Sequence, residues 1–328
     1  MNQNMTEYDA AAYKRVQDWK TEQDSKKSLV PAQVRKVAGK GKQLAVAGWD
    51  KVPGSEAATE LILKAVGGKH ELVTETAARS VQEGRVTARF VKAGHEVERL
   101  ADIRKLELLE LDAVRPALKL RYMAAMGSSG AAAGAVSGGA TVAATAGTAA
   151  SAGAAAVPGA AVTAGVMAAD VIATLASATR LIARVGAYYG YDVKDEGEKA
   201  FAMAVLGLAT ASETVARQAA WAQLHKLVGQ LARDVTWKEL NKDVFVKMTR
   251  TLFDGLGERL TKRKLGQAVP GFGALLGLGL NSKMAADVAT AADMAYRERF
   301  LREKYGIQIA GAFASPHFST QAQYRNAE

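Results

Sequence analysis

The feature of this sequence that most constrains its fold is a run of 48 residues without a charged side chain, from Tyr122 to Ala169. Ala, Gly, Ser, Thr and Val make up almost all of it, and no Leu, Ile or Phe occurs between Met123 and Asp170. Its length would allow two helical passes through a hydrocarbon layer about 30 Å thick, at roughly twenty residues a pass. Its apolar bulk is so small that insertion gains little free energy, so something else must stabilise the segment.

Glycines spaced four residues apart suggest the source of that stabilisation. Gly130, Gly134 and Gly138 would line one face of a helix and form a groove that another helix backbone can approach closely. Small residues at this spacing are typical of helices that pair in lipid. A tightly packed Ala-rich hairpin inside a soluble bundle, or a flexible low-complexity linker, would have the same composition, so three interpretations stay open.

A second stretch of this kind, LGQAVPGFGALLGLGLN, occupies residues 265–281. Gly273 and Gly277 again lie four apart, and Gly271 adds backbone flexibility. The stretch is more apolar than the first but too short to span a bilayer by itself. We therefore expect it to pack against the first stretch or to form a shallow re-entrant segment.

Basic residues border both uncharged stretches. These residues, here named the basic collar, are Arg115, Lys119 and Arg121 before the first stretch, Arg180 and Arg184 after it, and Lys262, Arg263 and Lys264 before the second. Cations at both ends of the first stretch favour a hairpin whose two ends lie on the cytoplasmic side. The formal charge of +10 indicates an anionic partner. A membrane surface fits better than nucleic acid, because the sequence contains no zinc-finger or RNP motif.

Length and composition predict an all-α protein, folded as a single large multi-helix bundle with the Gly/Ala-rich stretch as a helical hairpin. Only 6% of the 328 residues are aromatic, and Ala, Lys, Arg and Leu are abundant, which favours helices over sheet. Cysteine is absent, which suits a reducing compartment. The first thirty residues are polar and charged, without the apolar run of a signal peptide, so we expect a cytoplasmic location.

The pattern along the chain predicts five segments. They are a polar N-terminal helix (1–28), a basic helical region (29–121), the Gly/Ala-rich hairpin with a long helix (122–192), a C-terminal helical region with the second glycine stretch (193–306) and a loosely ordered tail (307–328). Residues 29–121 and 122–306 are expected to pack as one unit. In the fourth segment, Asp195 and Glu198 resemble a capping box, and a final amphipathic helix is expected from Ser282 to Tyr305.

Motifs that carry known chemistry are missing from the sequence. There is no phosphate-binding GxxxxGK[ST] loop, no HExxH and no GxSxG, and the four histidines lack metal-ligand spacing. The weak catalytic candidates are carboxylates inside apolar helices or near glycine-rich turns, namely Asp170, Asp192, Asp287 and Asp293. Asp170 fits a polar residue paired with a cation from another helix better than an intramembrane acid. We expect no metal and no cofactor, and enzymatic activity is not favoured.

Several phrases, in their order and spacing, resemble the bacterial EcsC family. They are YKRVQDWK near the N-terminus, RLIARVGAYYGYD with the following EKAFAMAVLGLATA, and KLGQAVPGFGALLGLGLNSKMAADVATAADMAYRERFLREKYG near the C-terminus. The resemblance covers roughly residues 8–306. The family takes its name from a protein encoded beside an ABC transporter and has no established biochemical role. The resemblance therefore implies an all-helical, membrane-linked accessory protein, and it supplies no catalytic residues.

Together these observations predict a membrane-associated accessory or regulatory protein that docks on, or partly inserts into, the cytoplasmic face of the inner membrane. The expected partners are an anionic membrane surface and an integral membrane transporter or other membrane protein. The alternative is a soluble helical enzyme, or a carrier of a hydrophobic small molecule or lipid, whose Gly/Ala-rich helices line an apolar cavity. A secreted pore-forming effector is a weaker third reading.

Overall fold

The computed structural model describes residues 5–25, 55–128, 156–211, 213–232, 242–264 and 273–307, with the backbone alone described at 156–163 and 273–280. Every regular element in these ranges is a helix and none is a strand, which confirms the predicted all-α class. The first glycine groove, the loop before the second one and the tail after residue 307 lie outside the described residues.

The helices of the described ranges are numbered in chain order. They are α1 (Glu7–Ser25), α2 (Ser55–Gly67), α3 (His70–Ser80), α4 (Glu83–Lys92), a 3₁₀ helix (Leu100–Lys105), α5 (Leu108–Val114), α6 (118–128), α7 (Ala156–Ala187), α8 (Glu196–Thr210), α9 (Thr214–Leu231), α10 (Lys242–Lys264) and α11 (Gly273–Tyr305).

Helix α8 lies at the centre of the bundle. Every residue from Gly197 to Leu206 is buried, because α7, α9, α10 and α11 pack around it. Gly197 marks the closest approach: a Cβ added there would lie 2.3 Å from Cδ2 of Leu231 on α9. Its apolar sequence, FAMAVLGLA, thus reflects burial on all sides.

Helix α7 forms the second layer, with α2 and α3 packed along its outer side and α10 and α11 beside it. Its Ala164–Ala187 portion, with a mean hydropathy of 1.5, is long and apolar enough to cross a membrane. However, 61% of that portion is buried inside the protein. A core helix of a bundle has the same property, so the composition of α7 is accounted for by its protein neighbours.

The predicted final helix is longer than expected. The sequence suggested a helix from Ser282 and a separate glycine-rich segment before it, but α11 is continuous from Gly273 to Tyr305. No proline interrupts this range, and isolated glycines lower helix stability by only about 1 kcal/mol each, which tertiary contacts offset. The second glycine stretch therefore continues directly into the helix that carries the buried residues Arg297, Glu298 and Arg299.

A buried ion pair joins the two central helices α8 and α11. Both terminal nitrogens of Arg299 donate to the carboxylate of Glu198 at 2.7 Å, and the residues are 3% and 8% exposed. Asp195 caps α8 by accepting from the Gly197 amide at 2.8 Å, as predicted. Glu198 is not free to complete a capping box, because its carboxylate is taken up by Arg299.

Aromatic rings enclose the Arg299 guanidinium. Its carbon lies 4.0 Å from the ring centre of Tyr191 and 4.8 Å from that of Phe201, and its Nε donates to Glu303 at 2.8 Å. Burial opposes the charge of Arg299, but Glu198 and the other partners outweigh this and hold its pKa well above the usual value. The pair stays charged at the centre of the bundle.

Removing one member of this pair should destabilise the fold strongly. Arg299→Met leaves the Glu198 carboxylate buried and unpaired, so we expect the free energy of unfolding to fall by about 3–5 kcal/mol. Urea denaturation followed by circular dichroism measures the change. The matched control is Lys14→Met, which breaks the surface pair of Lys14 with Asp18, two side chains that are 76% and 55% exposed. It should cost at most about 0.5 kcal/mol, and equal losses in both variants would contradict this account.

Candidate functional site

The C-terminal end of α11 carries three consecutive charged residues that are all buried. Arg297, Glu298 and Arg299 are 8%, 2% and 3% exposed. Because successive residues on a helix point about 100° apart, three buried in a row require neighbours around most of the helix. The sequence placed Arg297 and Arg299 on an amphipathic surface, and nothing in it indicated burial. Each of the three contacts a different set of partners.

Arg297 anchors α11 to α5. Its two terminal nitrogens donate to the Asp112 carboxylate at 2.8 and 2.7 Å, and the Tyr8 hydroxyl of α1 donates to the same carboxylate at 2.7 Å. Arg115 pairs with Asp112 at 3.0 Å and with Asp293. One carboxylate on α5 thus ties together α1, α5 and α11.

Asp293, a predicted catalytic candidate, belongs to this same cluster. It accepts a hydrogen bond of 2.7 Å from Tyr189, which is fully buried. Burial alone would raise the pKa of Asp293, but Arg115 and Arg297 outweigh burial and lower it. Burial and Asp293 raise the pKa of Tyr189 well above its usual value, so the phenol stays protonated and donates. Asp293 is held as a charged structural acceptor, and no proton transfer is needed to explain its surroundings.

Glu298 anchors α1 and α9 to α11. It pairs with Lys20 of α1, with Arg302 at 2.8 Å and with His225 of α9 at 3.4 Å. Lys20 lies 4.0 Å from the ring centre of Trp221. Burial would raise the pKa of Glu298, but His225, Lys20 and Arg302 lower it to about 2.

A cleft beside this cluster has room for little more than a water molecule. It lies between α8, α9 and α11, with Phe201, Trp221 and His225 in its wall, and its volume is about 10 Å³. In the part of the chain that the structure describes, no group of three His, Asp or Glu residues could hold a metal ion. Among the described residues, the buried charge clusters anchor helices to one another.

The other three predicted carboxylates lie apart from one another. Asp170 is 7% exposed in the middle of α7, about 26 Å along the axis from the end of that helix. Asp192 accepts from the Lys194 amide at 3.0 Å in the turn after α7. Asp287 pairs on the partly exposed side of α11 with Lys283, four residues before it. The fold does not assemble these four candidates into one site.

The basic collar divides into two groups in the structure. Arg115 turns inward to Asp112 and Asp293, as described above. Lys119 and Arg121 are exposed on α6, and Lys119 donates to Thr290 of α11 at 3.4 Å. Lys262, Arg263 and Lys264 close α10, and their side chains lie outside the described residues. The same holds for the surroundings of the predicted packing glycines, Gly130, Gly134, Gly138, Gly271, Gly273 and Gly277.

Helices α6 and α7 meet at the base of the predicted hairpin. The guanidinium of Arg184, on the last turn of α7, lies 5.8 Å from the ring centre of Tyr122 near the start of α6. The last turn of α7 thus contacts α6, as a hairpin between the two helices requires. The Ser282 hydroxyl of α11 donates to the Met123 carbonyl at 3.0 Å and fixes α6 to the bundle.

Arginines gather around two tyrosines at this base. Burial raises the pKa of Tyr122, and Arg184, Arg180 and Arg121 act against that rise. Burial likewise raises the pKa of Tyr188, with Arg89 and Arg184 acting against it. We name Arg89, Arg121, Arg180 and Arg184 the arginine cluster. Sequence reasoning missed Arg89 on α4, since nothing in its own helix points to the end of α7.

The arginine cluster differs from the arginines of the charge clusters described above in lacking an acidic partner among the described residues; Arg180 and Arg184 are half-buried, and the other two members are exposed. Arg115, Arg297, Arg299 and Arg302 each contact at least one carboxylate. Within the described ranges, no ion pair joins any member of the arginine cluster to an acid, and the buried Nε of Arg180 has no hydrogen-bond partner. A buried donor left unsatisfied costs about 1–3 kcal/mol, which marks this surface as a candidate binding site.

The low pKa of Glu298 predicts a specific loss of stability in acid. The folded-state pKa is about 2 against a usual value of 4.5, so the stabilisation is complete above pH 4.5 and is lost as the pH falls toward 2. At about 1.36 kcal/mol per pKa unit, the loss amounts to about 3 kcal/mol. Urea denaturation at a series of pH values measures the slope.

Glu298→Gln should flatten this pH dependence between pH 4.5 and 2, because an amide does not titrate. The variant will be less stable at neutral pH, where Lys20 and Arg302 lose their counter-charge. Glu71→Gln is the control, since Glu71 is 83% exposed, and it should keep the wild-type slope. An unchanged slope in Glu298→Gln would show that the acid sensitivity has another origin.

Comparison with known proteins supports the resemblance noted in the sequence. No curated protein and no solved structure matches this chain. The model of the EcsC protein family matches residues 10–301, from α1 through nearly all of α11. The matched range includes the charged anchors of α11 and the base of the hairpin. The chain therefore belongs to the EcsC protein family.

Proposed function

We propose that this protein is an accessory or regulatory factor that associates with the cytoplasmic face of the inner membrane by partly inserting the tip of the α6–α7 hairpin. The observation that carries the proposal is the geometry of the hairpin base. Helix α6 contacts the last turn of α7 at this base, and the 27 residues between the two helices, 129–155, contain no charge. The two helices that flank the uncharged residues are thus both anchored to one folded body.

The helical length fits shallow insertion better than a full crossing. Asp170 is the charged residue of α7 nearest the hairpin tip, and the helix continues for fourteen residues before it, from Ala156 to Ala169. Ala164, Met167 and Ala168 are buried in the bundle, so the part of α7 from Ala164 onward is packed against other helices and is not available to lipid. This leaves the eight residues 156–163, which extend about 12 Å, less than the roughly 30 Å hydrocarbon thickness.

The bundle around α8 would then serve as a rigid base for the hairpin. Its charge clusters fix α1, α5, α9 and α11 to one another, and Ser282 fixes α6 to α11. A hairpin on a rigid base can bring the folded body to a membrane or to a protein within it. An integral membrane transporter is the partner that the family's naming suggests, and we include it in the proposal on that ground.

The alternative of a soluble carrier or enzyme has less support. The cleft between α8, α9 and α11 is too small for a lipid, and the candidate carboxylates do not converge. A carrier would need a large apolar cavity with few polar groups. No specific observation in the described residues favours that function.

Membrane association should depend on the uncharged tip. Ala144→Glu places a carboxylate within it, at a cost of about 2–3 kcal/mol if the residue lies in hydrocarbon. We expect wild-type protein in the membrane fraction to resist a high-salt wash, and Ala144→Glu to be released or to remain soluble. Fractionation with a salt wash and then a carbonate wash measures this.

The matched control is Ala65→Glu, which adds the same charge at an exposed position of α2. It should fractionate like the wild-type protein. A wild-type protein that is wholly soluble, or an Ala144→Glu variant that fractionates like Ala65→Glu, would contradict insertion. Release of wild-type protein by salt alone would show that charge, without insertion, holds it at the membrane.

A further inference from the structure

We propose that the arginine cluster at the base of the hairpin binds a phosphate group, carried by a soluble phosphate ester or diphosphate. The cluster consists of Arg89 on α4, Arg121 on α6, and Arg180 and Arg184 on α7. The binding of phosphate does not rest on membrane insertion, whereas the choice of a soluble phosphate over a lipid headgroup rests on the proposed function.

The cluster is built from three separate helices around two phenols. Arg180 and Arg184 lie one turn apart on α7, where residues four apart are neighbours on one face. Arg184 lies 5.8 Å from the ring centre of Tyr122, and Arg121 is the residue before Tyr122 on α6. Arg89, on α4, belongs to the cluster through Tyr188. The ring of Tyr188 lies 6.3 Å from that of Phe90, and Phe90 directly follows Arg89 in the sequence.

Four guanidinium groups without a carboxylate partner repel one another. Elsewhere in this fold, buried arginines are matched by acids: Glu198 meets Arg299, and Asp112 meets Arg297. The arginine cluster has no such acid in the described residues, and Arg180 holds a buried Nε without an acceptor. An anion that accepts from several of these donors would relieve both the repulsion and the unsatisfied donor.

The number of donors favours phosphate over carboxylate. A carboxylate carries one negative charge on two oxygens: Glu198 takes one arginine, and Asp112 takes two. Four arginines suit an anion with three or more oxygens and about two negative charges, which describes a phosphate monoester or diphosphate. Tyr122 and Tyr188 are each 8% exposed, and burial keeps both phenols protonated, so their hydroxyls can also donate.

The position of the cluster favours a soluble phosphate over a lipid headgroup. Arg184 lies 28 residues from the first residue of α7, a rise of about 42 Å along the helix. A hairpin that inserts only its uncharged tip, up to residue 163 of α7, would leave Arg180 and Arg184 about 26 and 32 Å along the helix from the membrane surface. Lipid phosphate would reach it only if the protein approached the membrane by its base.

Thermal unfolding in the presence of pyrophosphate tests the site, with ionic strength held constant by chloride. We expect saturating pyrophosphate to raise the Tm of the wild-type protein by about 2 °C or more. Arg89→Gln combined with Arg121→Gln should abolish that rise. Both residues are exposed, so the double variant should fold, and it should be no less stable than wild type without the ligand. Arg180→Gln should also reduce the rise, since it removes the buried donor.

The control removes the same charge from another surface. Arg250→Gln combined with Arg259→Gln changes two exposed arginines of α10 and should keep the wild-type rise in Tm. A second arm measures co-sedimentation with vesicles of phosphatidylcholine and phosphatidylglycerol. Loss of vesicle binding in the Arg89/Arg121 double variant alone would identify lipid as the source of the phosphate.

A soluble phosphate would be identified by two results together. Both double variants would bind vesicles equally, and pyrophosphate would raise the Tm only of the wild-type protein and of the control. The site would be overturned if the wild-type protein showed no rise in Tm with pyrophosphate and no vesicle binding that depends on the arginine cluster. An equal Tm rise in all variants would overturn it as well, since the effect would then be nonspecific. None of these outcomes depends on the carbonate wash that tests insertion.

Discussion

The structure depends on charge that is buried and fully matched at one end of α11. Arg297, Glu298 and Arg299 point in three directions, and each holds a different part of the bundle: α5, the α1–α9 pair and α8. Burying an ion costs several kcal/mol unless its partner is in place. Each partner helix must therefore dock in its correct position, because otherwise a charge on α11 would be buried without its counter-charge. These contacts select one arrangement among the many that an Ala-rich set of helices could adopt, because small side chains alone specify packing weakly.

The requirement that a buried charge has a counter-charge also distinguishes the base of the hairpin. At the end of α11 every buried arginine has an acid, whereas around Tyr122 and Tyr188 four arginines have none among the described residues. This contrast supports the proposal that the second region takes its counter-charge from outside. The uncharged stretch and the arginine cluster are then two separate proposed sites, the first for lipid and the second for phosphate.

Sequence reasoning predicted the all-α class and the family, because helix periodicity and motif order are local properties. It also predicted the Asp195 cap on α8. It did not predict that Glu198 and Arg299 pair across 101 residues, since a charged run such as RERFLREKY normally marks a solvated face. Nor could it separate Arg115, which turns inward to Asp112, from Arg184, which remains without an acid. Tertiary packing determines which basic residue pairs with a carboxylate, so the spacing of residues in the sequence does not predict the pair.

The central claim is that the uncharged tip enters hydrocarbon while the bundle stays outside it. The chain contains no cysteine, so a single cysteine with an environment-sensitive fluorophore can report on any position. With phosphatidylcholine–phosphatidylglycerol vesicles, a label at Ala144→Cys should shift its emission to the blue and be quenched by brominated acyl chains, whereas a label at Ala65→Cys should not change. A label at Ala144→Cys that remains in water when vesicles are present would contradict the account.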